Sequence, residues 1–243
     1  MTIVFTSASS NLIIMTVDSA VTLDFEDSHR EYETGRKSYV YPGVGCVATW
    51  GARDGNQIGI FLNKQNISSD NLSVNGLTDL VYRYLTEEYR PHEFNLDDVG
   101  YHIAGFDQKG NAHLSHVFWG FDRPKPAEQT HQKYERYDHS PSANGTIFLY
   151  NGRNDLADVM VRTLINQIAA GNTTHFNLGT PVGLVRLGDF VMRFASELTP
   201  EVGLPLFTYL ISPSNQVERI RNDTFCPLSD DEILSKLTSL GNP

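Results

Sequence analysis

The hydrophobic period of this 243-residue chain switches repeatedly between two residues and the 3.6 of a helix. That alternation limits the fold more than any single motif does. The chain opens with two strand-like runs, "TIVFTS" and "LIIMTVD", joined by the small-residue turn "ASSN". The polar stretch "TLDFEDSHREYETG" reads as an excursion, and "KSYVYPGVGCVATWG" as two further strands broken at "PG". From Ala52 the period lengthens. Ile58, Phe61 and Leu62 make one helical stripe, and Leu77, Leu80, Val81, Tyr84 and Leu85 make another that Pro91 ends.

The pattern then repeats. "GYHIAGFDQKGNAHLSHVFW" is a second hairpin turning at "DQKGN". The proline-bearing stretch from Asp122 to Gly145 reads as a long surface loop or lid. "TIFLYNG" is a strand, "LADVMVRTLINQIAAG" a helix closed by Gly171, and "VGLVRLGDFVMRFASEL" another helix. "LPLFTYLISP" and "QVERIR" are the last strands. A helix at about 229–240 follows, with Ser229 and Glu232 spaced as a capping box. Strands that come as hairpins make antiparallel sheets, and helices that come in pairs cover them. The expected architecture is α+β, a four-layer αββα sandwich of two antiparallel sheets, in one domain spanning 1–243.

Charge narrows the partners. The formal charge is −10, with no basic arm or Lys/Arg stripe, which argues against nucleic acid and anionic membrane. Cys46 lies in an apolar run and reads as a buried free thiol; two cysteines in a chain this long make no disulfide framework. No secretory leader and no run long enough to span a bilayer is visible, so a cytoplasmic location is expected. His113 and His116 form H-x-x-H, but on a strand these positions face opposite sides, so no metal site is expected. "GVGCVA" runs into "TW" rather than into a Lys-Ser/Thr helix start, and G-x-S-x-G is absent.

Four stretches resemble the proteasome β-subunit family, whose members are N-terminal-nucleophile hydrolases with a catalytic threonine. "TIV" followed by "TVDSAVT" is similar to that family's "AADSRAT" segment, and "RKSYVYPGVGCVATWGARDG" to its lysine strand leading to a glycine. "IAGFDQKGNAHLSHV" is similar to its "AGYD…G…L" hairpin, and "EVGLPLFTYLISPSNQVERI" to its final strand pair. Asp18 follows Thr2 by 16 positions, and Gly51 follows Lys37 by 14, both as in that family.

The resemblance implies that Thr2 is the nucleophile once Met1 is removed. Its α-amine, with an ordinary pKa of roughly 7.7–8.0, would serve as its base. Asp18 would pair with Lys37, and Gly51 would offer its N–H to the oxyanion. Ser19, Ala20, Val21 and Thr22 would form the edge on which an extended peptide pairs. The resemblance further implies a peptidase or amidase that needs no metal or organic cofactor and forms a homo-oligomeric ring or dimer; it names no ATPase regulator. Two positions depart from the family. "YNGRNDLA", with Asn151, Gly152 and Arg153, replaces its Ser-Gly-Ser-like turn, and Thr199 and Val202 stand where it has a supporting aspartate and serine. Two rival functions follow from those departures: a non-catalytic assembly subunit, or an amidase or transpeptidase acting on a non-protein amide.

Overall fold

A computed structural model describes residues 3–24, 30–51, 57–94, 98–120, 133–152, 162–164, 166–167, 170–171, 176–199, 202–224 and 226–241, with backbone alone for 22–24, 30–33 and 94. The strands are β1 (Val4–Ala8), β2 (Ile13–Val17), β3 (Ala20–Asp24), β4 (Arg30–Thr34), β5 (Ser38–Tyr41) and β6 (Gly45–Gly51). They continue as β7 (Val99–Phe106), β8 (Ala112–Gly120), β9 (Lys133–His139), β10 (Ile147–Asn151), β11 (Leu206–Ile211) and β12 (Val217–Asn222). The helices are α1 (Gln57–Asn63), α2 (Val74–Arg83), α3 (Pro181–Leu198) and α4 (Asp230–Ser239).

Two five-stranded sheets form, in the orders β10-β1-β2-β11-β12 and β5-β6-β7-β8-β9, and every pairing is antiparallel. Strand alternation divides the apolar residues into layers. Val4, Met15, Ala48, Leu114 and Ile211 meet between the sheets. Val47, Tyr101 and Ile103 turn outward to Ile58, Leu62, Leu77 and Val81 of α1 and α2. On the other outer face, Ile14 and Leu210 pack on Leu184, Ile233 and Leu237, while Phe5 packs on Leu187 and Val191 of α3. The result is the αββα sandwich expected from the order of elements.

Local chemistry sets the helix ends. Ser73 and Thr180 accept N–H bonds from Gly76 and Gly183 at the starts of α2 and α3, and Pro181 fits the first turn of α3. Ser229 and Glu232 form the anticipated capping box. Beyond Arg83, α2 continues as a π-helical turn over Tyr84–Tyr89, which Arg90 ends at φ 43°.

Two expectations change. The polar excursion after Asp18 contains a hairpin, β3 with β4, paired from Ala20↔Thr34 to Asp24↔Arg30. No sustained apolar period in the sequence announces it. The second half of the presumed lid is strand β9, which runs along β8 from Leu114↔His139 to Gly120↔Lys133. β9 is a half-exposed edge strand with the sequence KYERYDH, and its polar residues disguise it. Residues 121–132 lie outside the described residues, as does most of the helix expected at 156–170. Gly171, at φ 73°, does sit where that helix was expected to close. Cys46 is buried and free, and burial pushes its thiol up to about 12.

One polar side chain crosses the apolar centre. His102 of β7 is fully buried. Its Nε2–H donates to Asn151 Oδ1 at 2.8 Å, which leaves Nδ1 to accept from the Thr6 hydroxyl at 2.9 Å. Three strands from the two sheets are thereby pinned through one neutral ring. Burial, the largest cause, pulls the His102 pKa from 6.5 down to about 4. Between those values the unfolded chain holds more protons on this residue than the native protein does. Its stabilising contribution is therefore complete above pH 6.5 and is lost as the pH falls through about 4. We expect urea unfolding of the unaltered protein to lose stability over that interval, with a share on the order of 3 kcal/mol missing from the pH profile of His102→Gln. Parallel profiles would refute this.

Candidate active site

Asp18 sits just past the end of β2 and is 1% exposed. A buried carboxylate must have donors around it, and this one has three. Oδ1 accepts the Ile3 N–H at 3.2 Å, and Oδ2 accepts the Ala20 N–H at 2.9 Å. Lys37 Nζ lies 2.8 Å from the same Oδ2. Lys37 is itself only 6% exposed, and its carbonyl accepts the Thr49 N–H across β6. Burial is the largest influence on both groups. It pushes the Asp18 carboxyl up and the Lys37 amine down, while their mutual attraction opposes both shifts.

Thr2 lies outside the described residues. Ile3 does not, and the Ile3 nitrogen bound by Asp18 is the one acylated by residue 2. The Asp18–Lys37 pair is therefore fastened one peptide unit from Thr2. Gly51 ends β6 with φ 83°, and a Cβ there would fall 2.0 Å from the Asp98 carbonyl oxygen. Conformation and space both demand glycine at this position.

The segment after Asp18 is held from both sides. The Ser19 N–H donates to Gly203 O at 3.3 Å, and the Gly35 N–H donates to Ser19 O at 2.8 Å. The second bond fixes the phase of the β3–β4 ladder. The N–H and C=O of Val21 point toward β4, whereas those of Ala20 and Thr22 point to the opposite edge. Among the described residues, no strand covers that edge.

Several of these partners had no signal in the sequence. The amides of Ile3 and Ala20 are backbone groups, and so is the Gly203 carbonyl. Gly203 lies in the stretch where the supporting residues were sought. Thr199 closes α3 through its N–H to Ala195 O, and Val202 is buried against α3. Gly203 approaches so closely that a Cβ on it would lie 2.8 Å from the Ala20 Cβ. At the other departure from the family pattern, Asn151 is spent on His102 inside the sandwich. Gly152 follows it at φ 118°, and Arg153 lies outside the described residues.

No protein-family model matches the chain, and no curated protein matches it by sequence. Solved structures do. Anbu (ancestral beta-subunit) from Yersinia bercovieri superposes with a TM-score of 0.61 at 14% identity, covering 98% of this chain and 93% of that one. The Anbu complex from Pseudomonas aeruginosa, solved as a helical assembly, gives 0.60 at 14% identity, covering 98% and 92%. Anbu from Hyphomicrobium sp. strain MC1 gives 0.59 at 9% identity, covering 98% and 93%. The fold is proteasome-like. Within it, the buried Asp18–Lys37 pair is bound to Ile3, just before β1.

The energetics of the pair can be tested directly. Removing one member strands a buried charge, whereas removing both does not. We expect Lys37→Met to cost about 3–5 kcal/mol in urea unfolding. We expect Asp18→Asn combined with Lys37→Met to recover a large part of that loss. Strict additivity in the double-mutant cycle would show that the two side chains do not depend on each other.

Proposed function

We propose that this chain is a threonine-type N-terminal-nucleophile amidohydrolase, with Thr2 as nucleophile after removal of Met1. The observation that carries the proposal is the double grip of Asp18. One carboxylate binds both the Ile3 amide and the Lys37 ammonium, and so sets a charged pair beside residue 2. In this reading the free α-amine of Thr2 takes the hydroxyl proton as Oγ1 attacks an amide carbonyl. Lys37 keeps positive charge nearby, which holds that amine in its neutral form. The Gly51 N–H receives the oxyanion, a contact that elsewhere lowers barriers by about 2.7–4 kcal/mol per donor. The amine then returns the proton to the leaving nitrogen, and water releases the acyl group from Thr2.

The outer edge of β3 supports an extended substrate. The Ala20 carbonyl and both backbone groups of Thr22 are directed there, as strand addition requires, while the Ala20 N–H is taken by Asp18, and Ser19 and Val21 anchor the segment on its other side. Assembly with further copies of the chain, as a ring or another homo-oligomer, belongs to the same proposal; one structural neighbour is a helical assembly. Among the described residues no helix is long and apolar enough to cross a membrane.

A non-catalytic assembly subunit is the second reading. Thr199 and Val202 favour it, because they stand where the family has an aspartate and a serine, and Thr199 carries no charge and Val202 no hydroxyl. Intact mass before and after treatment with a peptide epoxyketone separates the two. That reagent needs both the hydroxyl and the free amine of an N-terminal threonine. We expect loss of one methionine and a single adduct, absent in Thr2→Ala. Retained Met1 with no adduct, in protein from the native host, would leave the scaffold reading. A positive result leads to fluorogenic peptides set against γ-glutamyl and acyl amides, which distinguishes a peptidase from an amidase of small molecules.

A further inference from the structure

β5 and β12 are the outermost strands of their sheets, and a cavity of about 660 Å³ opens along this side of the sandwich. That volume is in the range of small-molecule sites. Its lining is two-natured. Val40, Phe207 and Val217 give it apolar walls, while Arg36 and Arg219 stand exposed beside them. Among the described residues no acidic side chain lines it, in a protein whose formal charge is −10.

Both guanidiniums are held in place without a carboxylate. Arg36 donates from Nε to Ser38 O at 3.1 Å and lies 4.8 Å from the centre of the Tyr39 ring. Arg219 lies 5.5 Å from the centre of the Phe207 ring. Neither is ion-paired among the described residues, whereas Arg221 on the same strand is paired with Asp223 and Glu218 with Lys236. Each cation lies over an aromatic ring, and each has five N–H groups, more than these contacts use. That arrangement suits a fork-like grip on an anion. Deeper in, the buried Ser38 Oγ and Tyr209 Oη lie 2.6 Å apart. Only one of those hydroxyl hydrogens can lie between the two oxygens, so the other remains for a bound group.

We propose that this cavity binds a small organic carboxylate, its anionic group held by Arg36 and Arg219 and its apolar body lying on Phe207, Val40 and Val217. The lining comes from strands and from the link before β5, with no helix N-terminus of the kind that gathers phosphates. A carboxylate with an apolar side chain therefore fits better than a phosphate. Lys37 borders the same cavity, so a bound anion would press on the segment that carries the Asp18 partner.

The test is calorimetric titration of the whole protein with N-acetylphenylalanine, its neutral amide, and inorganic phosphate. Binding is read without turnover, so the outcome stands whether or not Thr2 is a nucleophile. We expect the carboxylate to bind, with the amide and phosphate each weaker by about tenfold or more, since a charge-assisted contact or the apolar body is lost. Arg36→Gln and Arg219→Gln should each weaken the carboxylate about tenfold with unchanged thermal unfolding, because both side chains are exposed. Thr2→Ala should leave it unaltered. Absence of carboxylate binding at millimolar concentration, equal affinity for the amide or for phosphate, or indifference to both arginine substitutions would overturn the proposal.

Discussion

A carboxylate taken out of water must be surrounded by donors, and Asp18 gathers its donors from three separate parts of the chain. The Ile3 amide brings the beginning of β1, the Ala20 amide the beginning of β3, and Lys37 the link into β5. Loss of any one would expose a buried charge to an apolar surrounding, so the three segments are constrained together. The opening of the sandwich is in this sense built around one side chain. The close contact of Gly203 with Ala20 and the left-handed Gly51 complete the rim with backbone, where no side chain could fit.

His102 plays a comparable part deeper in. Its ring spans from β7 to Thr6 and Asn151 on the facing sheet, in a layer otherwise made of Met15, Ala48, Leu114 and similar residues. Apolar area by itself is indifferent to small slides of one sheet over the other. The two directional bonds to this ring, with the Ser38–Tyr209 hydroxyl bond and the Asn215 bonds to the Phe106 backbone, define the alignment. The Asn151 side chain is committed to one of those bonds, at the position where the sequence departs from the Ser-Gly-Ser-like turn of the proteasome pattern.

Much of the architecture could be read in the chain because apolar period and secondary structure share a cause. Leu12, Ile14 and Met15 must divide between two faces of a strand, and Ile58, Phe61 and Leu62 must share one side of a helix. The capping box at Ser229 and Glu232 is equally local, since donor and acceptor are three residues apart. Where a strand carries mostly polar residues, the reading failed. Sequences such as REYET and KYERYDH present no apolar face to reveal β4 and β9.

The candidate site divides along the same line. Asp18, Lys37 and Gly51 are singled out because two stretches and their spacings resemble the proteasome β-subunit pattern; residue type alone would not mark them. The sequence by itself thus determined the layers and the order of elements, and through that resemblance it pointed to the ion pair. Only the tertiary structure decided that the Asp18 carboxylate also binds the Ile3 amide, that Gly203 supplies a carbonyl to Ser19, and that Arg36 and Arg219 face one cavity. Those contacts join backbone groups and distant strands, and a backbone amide has the same chemistry at every position. Its role is set by where the fold delivers it.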